Sequence, residues 1–369
     1  MSLVFAHGLL IVMVLIELLI VHFQNKEKIV WKEVIFNLNS GHIFLWILRG
    51  VEISAFYFVS ENWGFPILSD WPYAAIWIFT FFTWDFCFYW LHRLHHKLKL
   101  LWAVHVIHHE GEHFNLSLGI RNSWYSSLTS FPFFIGLAMM GIPVEIFVAT
   151  SSIHYIVQFY NHNSIVNKSG WLEKIMITPS HHRVHHGKNT IYVDRNFGGT
   201  LVIWDKLFNT YQEELEEIPV EYGVKDYVAN YDVVWANNLP FLKLFGFSIT
   251  PKPKKQNYIS IPKYLIVTGG ILLFGLYTYF ISIESNWTIN EKLGLFILTF
   301  LGTIANGGIS EKRKWGAYLW FFNFLFFAPI FIYTFKIYEP ILLSVFILLA
   351  INSIISFVKM DSQKTSNDA

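Results

Sequence analysis

Residues 73–109 read YAAIWIFTFFTWDFCFYWLHRLHHKLKLLWAVHVIHH. The stretch from Tyr73 to Leu91 is apolar enough to cross a bilayer. It runs without a break into His92-Arg93-Leu94-His95-His96, and then into His105-Val106-Ile107-His108-His109. A third cluster, His181-His182-Arg183-Val184-His185-His186, lies further on, so thirteen of the 16 histidines fall between His92 and His186. Imidazoles at this density beside lipid-facing sequence point to metal binding.

The rest of the composition agrees with a membrane setting. The chain is 54% hydrophobic and 19% aromatic, with only 14% charged residues and a positive mean hydropathy; soluble domains carry about 25% charged residues. The net charge of +1 provides no basic field for nucleic acid. Cys87 stands alone, which excludes an internal disulfide, a CxxC redox pair and a thiolate iron–sulfur site. Neither a GxGxxG loop nor a Walker loop is present.

Read in order, the chain predicts an all-α, polytopic integral membrane protein. Residues 1–70 hold N-terminal spans: a retained one at Leu3–Phe23, and an apolar stretch at Ile43–Val59 that contains Arg49 and Glu52. Residues 71–250 form the catalytic domain, beginning with the span Tyr73–Leu91. The apolar block Leu128–Tyr160, broken at Gly141-Ile142-Pro143, reads as a helical hairpin that returns His162 to the face of the other clusters. Trp204–Phe208 is amphipathic and aromatic, suited to the membrane interface. Residues 251–263 look like a linker. A four-span module follows at 264–358, with spans at Tyr264–Ile283, Leu293–Gly308, Trp315–Phe335 and Pro340–Val358, and 359–369 read as a disordered tail. Lys26, Lys28, Lys32, Lys254, Lys255, Lys312, Arg313, Lys314 and Lys359 all fall on one side. By the positive-inside rule this puts the histidines and the C-terminus in the cytoplasm, in a bacterial inner membrane or an endoplasmic reticulum.

His105/His108/His109 and His182/His185/His186 share the spacing His-x-x-His-His, which on a helix is expected to present its imidazoles to one face and so to one point. His92 and His96 have the related i, i+4 spacing. Adding His162 makes nine candidate ligands, too many for one ion and suited to two metals held by four or five imidazoles each. His95, Gln158, His181, Asp85 and Asn115 are candidates for supporting the ligands. Soluble di-iron bundles use glutamates, which these clusters nearly lack; neutral imidazoles leave the metal charge uncancelled and favour an electrophilic, oxidising centre. His7, His22, His42, His113 and His154 read as ordinary hydrogen-bonding histidines. Lys97, Arg121, Arg183 and Lys188 read as headgroup or topology charges, and Cys87 as an apolar filler. A metal transporter or sensor would place ligands near the bilayer midplane on broken helices, whereas these lie at helix ends. A zinc hydrolase would need a general-base carboxylate beside the clusters.

The interleaving of HxxxH, HxxHH and HxxHH with membrane spans resembles the fatty acid hydroxylase (sterol desaturase) superfamily, and within it the alkylglycerol monooxygenase family. The segments that carry the resemblance are Asp85–Arg93, His108-His109 with Asn115-Leu116-Ser117, Gln158–His162 and Thr178–Gly187. It continues through Asn196-Phe197-Gly198-Gly199-Thr200 to Ile203-Trp204-Asp205, and covers roughly residues 70 to 225. The resemblance implies two iron ions and O2-dependent hydroxylation of a lipid C–H bond. When that carbon adjoins an ether oxygen, the product collapses to an aldehyde and a glycerol. It also implies that His92, His96, His105, His108, His109, His182, His185 and His186 take the ligand positions, joined by His162. The implied reductant is tetrahydrobiopterin, but Lys97 stands where the family pattern places a glutamate linked to pterin use. A reductase or ferredoxin is then the alternative donor. Desaturation of a lipid or sterol, or hydroxylation of a carotenoid or fatty acid, would use the same centre.

Overall fold

The computed structural model describes residues 3–24, 28–225, 227, 230–247 and 258–363. In chain order the helices are α1 (Leu3–Gln24), α2 (Trp31–Asn39), α3 (His42–Trp63), α4 (Tyr73–Lys97), α5 (Lys99–His109), α6 (Ser126–Met139), α7 (Val144–Asn161), α8 (Pro179–His185), α9 (Ile203–Leu207) and α10 (Val233–Leu244). They continue with α11 (Lys263–Ile283), α12 (Ile289–Ser310), α13 (Lys314–Phe322), α14 (Ala328–Phe335) and α15 (Pro340–Val358). Five helical stretches are long and apolar enough to cross a membrane among the described residues: α4, α11, α12, the continuous α13–α14 and α15. The protein is all-α and multi-pass. Its only regular strands among the described residues are β1 (Tyr258–Ser260) and β2 (Asp361–Gln363), an antiparallel pair.

Two compact units emerge, and they cut the chain differently from the boundaries read in the sequence. Phe44–Ala229 is one; Met1–Ile43 with Asn230–Ala369 is the other. The boundary expected at residue 70 is therefore displaced: α1 and α2 belong with the C-terminal spans, because α11 packs on both of them. The expected tail at 359–369 is in part ordered, since residues 361–363 pair with 258–260; residues 364–369 and the linker positions 251–257 lie outside the described residues.

In the unit that carries the histidines, α4 starts after Pro72, whose fixed φ suits a helix entry, and its last turn collects His95, His96 and Lys97, where positive character suits the dipole. At 25 residues it is about 37 Å long, enough for an apolar core of about 30 Å. The expected break between α6 and α7 is present. Gly141 turns the chain at φ +76°, where a Cβ would meet the Phe65 carbonyl at 2.7 Å, and Pro143 starts the next helix. With 14 residues, α6 is about 21 Å long, short of a full span. Away from the histidines, α3, α4, α6 and α7 close around Phe56, Trp84, Phe134 and Phe147. Phe56 stacks on Phe147 at 4.0 Å and Trp84 on Phe134 at 4.8 Å. Cys87 is half-buried against this cluster.

In the other unit Trp320 Nε1 donates to Asn352 Oδ1 (3.0 Å), and Asn352 Nδ2 donates to the Leu265 carbonyl (3.0 Å). These bonds tie α13, α15 and α11 together. Residues 323–327 form a π turn just before Pro329, which cannot donate within a helix.

Candidate metal centre

All nine histidines converge, as two separate groups. His92, His96, His105, His109 and His185 form one; His108, His162, His182 and His186 form the other. Within each group the ligand atoms lie within 4.8 Å of one another. In the five-membered group His105 Nε2 is 3.1 Å from His92 Nε2 and 3.2 Å from His109 Nε2. In the four-membered group His162 Nε2 is 3.2 Å from His108 Nε2 and 3.0 Å from His182 Nε2, which in turn is 3.2 Å from His186 Nε2.

These spacings suit coordination. Metal–imidazole bonds of about 2.0–2.1 Å place neighbouring nitrogens about 2.9 Å apart at right angles and about 3.4 Å apart in a tetrahedron. His96 Nε2 and His185 Nε2 are buried without a hydrogen-bond partner; a metal would satisfy them. Burial holds the His108 imidazole down at about 4. Burial first, then neighbouring imidazoles, keeps His105, His109, His162, His182, His185 and His186 well below the ordinary value. Neutral imidazole is the form that binds a metal.

One expectation needs correction. Each His-x-x-His-His motif was expected to aim at a single point, yet each one divides. In α5, His105 and His109 lie in the first group while His108 lies in the second; in α8 and at its C-terminal cap, His182 and His186 lie in the second while His185 lies in the first. On a helix, positions i+3 and i+4 are about 100° apart, so a helix lying between two centres faces both.

Four of the nine Nδ1 atoms are held by backbone carbonyls: His92 by Phe197 (2.9 Å), His108 by Arg121 (2.8 Å), His162 by Gln158 (2.7 Å) and His185 by Arg195 (2.9 Å). Such contacts orient the ring and leave Nε2 for a metal. Asp194 Oδ1 lies 3.6 Å from His96 Nδ1, and Asp194 Oδ2 accepts from Lys97 Nζ at 2.5 Å. The nearby His96 imidazole and the hydrogen-bonded Lys97 ammonium hold the Asp194 carboxyl down at about 2. Gly119 lets His162 approach closely, since a Cβ there would stand 2.9 Å from its Nδ1.

The supporting residues expected from the sequence differ in position. His95 Nε2 pairs with Thr129 Oγ1 at 2.9 Å, and Gln158 donates to the Gly199 carbonyl; both line the cavity beside the centre. His181 pairs with Thr178 and Tyr211 and belongs to neither group. The oxygens of Asp85 are taken by Thr200 N, Leu201 N, Trp204 Nε1 and His154 Nδ1, and Asn115 caps the turn at Ser117. Both act on local backbone and on neighbours outside the nine. Among the expected bystanders, His22, His113 and His154 belong to neither group; the His7 and His42 side chains lie outside those described.

Arg121 and Arg183 are corrections of a different kind. Neither is a headgroup or topology charge. Arg121 is fully buried, donating to the Ile107 carbonyl (2.5 Å) and to Glu110 (2.9 Å). Arg183 clamps Glu214 together with the Val166 and Asn167 carbonyls. With Asp194 and Phe197 they form the frame that sequence reading missed. Charge complementarity between residues this far apart in the chain leaves no local signal.

A family profile for fatty acid hydroxylases matches residues 77–210. The chain is similar to alkylglycerol monooxygenase of Danio rerio, 37% identical over 187 residues, covering 51% of this chain and 41% of that protein. The Homo sapiens alkylglycerol monooxygenase is 36% identical over 187 residues, covering 50% and 41%. Ornithine lipid hydroxylase OlsE of Rhizobium tropici is 28% identical over 209 residues, covering 54% and 58%. The chain thus matches about two-fifths of the length of the alkylglycerol monooxygenases. No solved structure matches. The match to the fatty acid hydroxylase family spans residues 77–210, which hold all nine clustered histidines.

Proposed function

We propose that this chain is a membrane-bound, two-iron lipid monooxygenase that inserts oxygen from O2 into a lipid C–H bond. The observation that carries this reading is the division of nine imidazoles, with no carboxylate among them, into groups of five and four beside a cavity. Two irons held there would supply O2 activation; the protein's part is to orient the imidazoles through Nδ1, exclude water and place one carbon near the centre. One oxygen atom enters the lipid and the other leaves as water, so a donor must supply two electrons and two protons. Similarity to alkylglycerol monooxygenases favours a carbon beside an ether oxygen, whose hydroxylated form collapses to an aldehyde and a glycerol. Similarity to an ornithine lipid hydroxylase favours a second reading, hydroxylation without cleavage. A desaturase on the same centre is the remaining enzymatic alternative, separated by a product that loses hydrogen instead of gaining oxygen.

Tetrahydrobiopterin and an electron-donor protein are both compatible with this reading; Lys97, paired with Asp194, stands at the position that bears on the choice. The test is anaerobic purification with metal analysis, followed by an O2-dependent assay on ether lipids with and without tetrahydrobiopterin. About two irons per chain and an oxygenated or cleaved lipid are expected. An iron-free protein that takes up metal into proteoliposomes, without oxygenase activity, would replace this reading with transport.

A further inference from the structure

The cavity beside the two histidine groups has a wall of mixed character. Its volume is ≈ 130 Å³, close to the roughly 150 Å³ that accommodates one benzene in an engineered core. It therefore holds about six heavy atoms and not a whole lipid. Phe88 and Leu91 line it beside the imidazoles, and Asn122, Ser126, Ser127, Ser130, Tyr155 and Gln158 add polar groups to a largely apolar lining. A bare methylene chain gives such groups no partner, and leaving them dry is costly.

Two of the six are committed within the protein: Ser130 Oγ donates to Glu52 Oε1 at 2.8 Å, and Gln158 donates to the Gly199 carbonyl. The Asn122 amide and the Ser126 and Ser127 hydroxyls have no side-chain hydrogen bond among the described residues. Behind this wall lies the ion pair that interrupts the apolar helix α3. Arg49 Nη1 donates to Glu52 Oε2 at 2.7 Å and Arg49 Nη2 to Ser151 Oγ at 2.7 Å, and the guanidinium lies 5.5 Å from the Tyr155 ring centre. Charged side chains in an apolar helix are expensive and mark function. Here they brace α6 and α7 at Ser130 and Tyr155, two residues of the cavity wall.

We propose that Asn122, Ser126 and Ser127 are specificity-determining residues that hydrogen-bond the oxygens at the polar end of a lipid, on a wall fixed by the Arg49–Glu52 pair. The inference rests on the lipid-oxidation reading and identifies the residues that select the substrate. It also implies that the oxidised carbon lies within a few bonds of the lipid's polar end.

Binding without turnover tests it. The metal-loaded full chain in detergent is titrated anaerobically by calorimetry with 1-O-hexylglycerol and with its di-O-methyl ether. The wild type is expected to bind the free diol at least about ten-fold more tightly. Asn122→Ala and Ser126→Ala are each expected to weaken the diol about three- to ten-fold, as loss of one hydrogen bond does, and to leave the capped ether unchanged. Equal affinity of the wild type for both ligands, no binding of the diol, or variants that keep the full preference would overturn the proposal. If a variant loses metal, the wild-type comparison decides alone. Diol-selective binding with no O2-dependent product would leave this subsite standing and remove the oxygenase reading.

Discussion

His185 lies three residues after His182 on one short helix, yet it serves the other group of imidazoles, and His108 stands in the same relation to His105. Removing either side chain therefore probes one group at a time. His185→Ala is expected to reduce iron from about two to about one per chain by emptying the five-membered group, and His108→Ala to do the same through the four-membered group. Activity should be lost in both while the protein stays in the membrane. Metal analysis of the two variants checks this, and full iron with wild-type turnover in both would sink the two-centre assignment. The split also explains why counting imidazoles suggested two metals while the spacing of each motif suggested one point.

At the scale of elements, the segment from Asp194 to Tyr211 supports the centre without supplying a ligand. Phe197 offers its carbonyl to His92, and Arg195 offers its carbonyl to His185. Asp205 closes the segment on itself, accepting from Phe197 N, Gly198 N and Thr210 Oγ1, each at 2.7 Å. Asp85 of α4 holds its far side through Thr200 N and Leu201 N. In Asp205→Asn one acceptor oxygen becomes a donor facing an N–H, an unsatisfied contact that costs about 1–3 kcal/mol. With the Phe197 carbonyl loosened, iron affinity of the five-membered group should fall about 10–100-fold, as for other residues that orient ligands. Competition with a chelator measures it; unchanged affinity in a folded variant would reduce Asp205 to a purely local role. Ile203 and Leu207 of α9 are exposed, while Asp205 on the same helix is buried.

For the whole molecule, we propose a sidedness from the loop charges. With Cys87→Ser as background, Thr190→Cys near the histidine centre and Lys359→Cys beyond α15 are expected to react with an impermeant maleimide only from the cytoplasmic side. Asn290→Cys at the start of α12 should react only from the opposite side. Thr190→Cys and Lys359→Cys labelling from different sides would reverse the reading of the loops.

The sequence by itself determined the helical membrane class, the break in the α6–α7 hairpin and the nine histidines that come together. Each is written locally: in runs of apolar residues, in a Gly–Pro interruption, in imidazoles at helical spacing. It could not determine how the nine divide, because helix periodicity says which residues share a face and not what stands opposite. It also misjudged Arg121 and Arg183, whose carboxylate partners Glu110 and Glu214 reach them only once the chain has folded. The grouping of α1 and α2 with the C-terminal spans escaped it for the same reason. Two apolar helices far apart in the chain carry no mark of their mutual packing, and only tertiary structure brings their surfaces into contact.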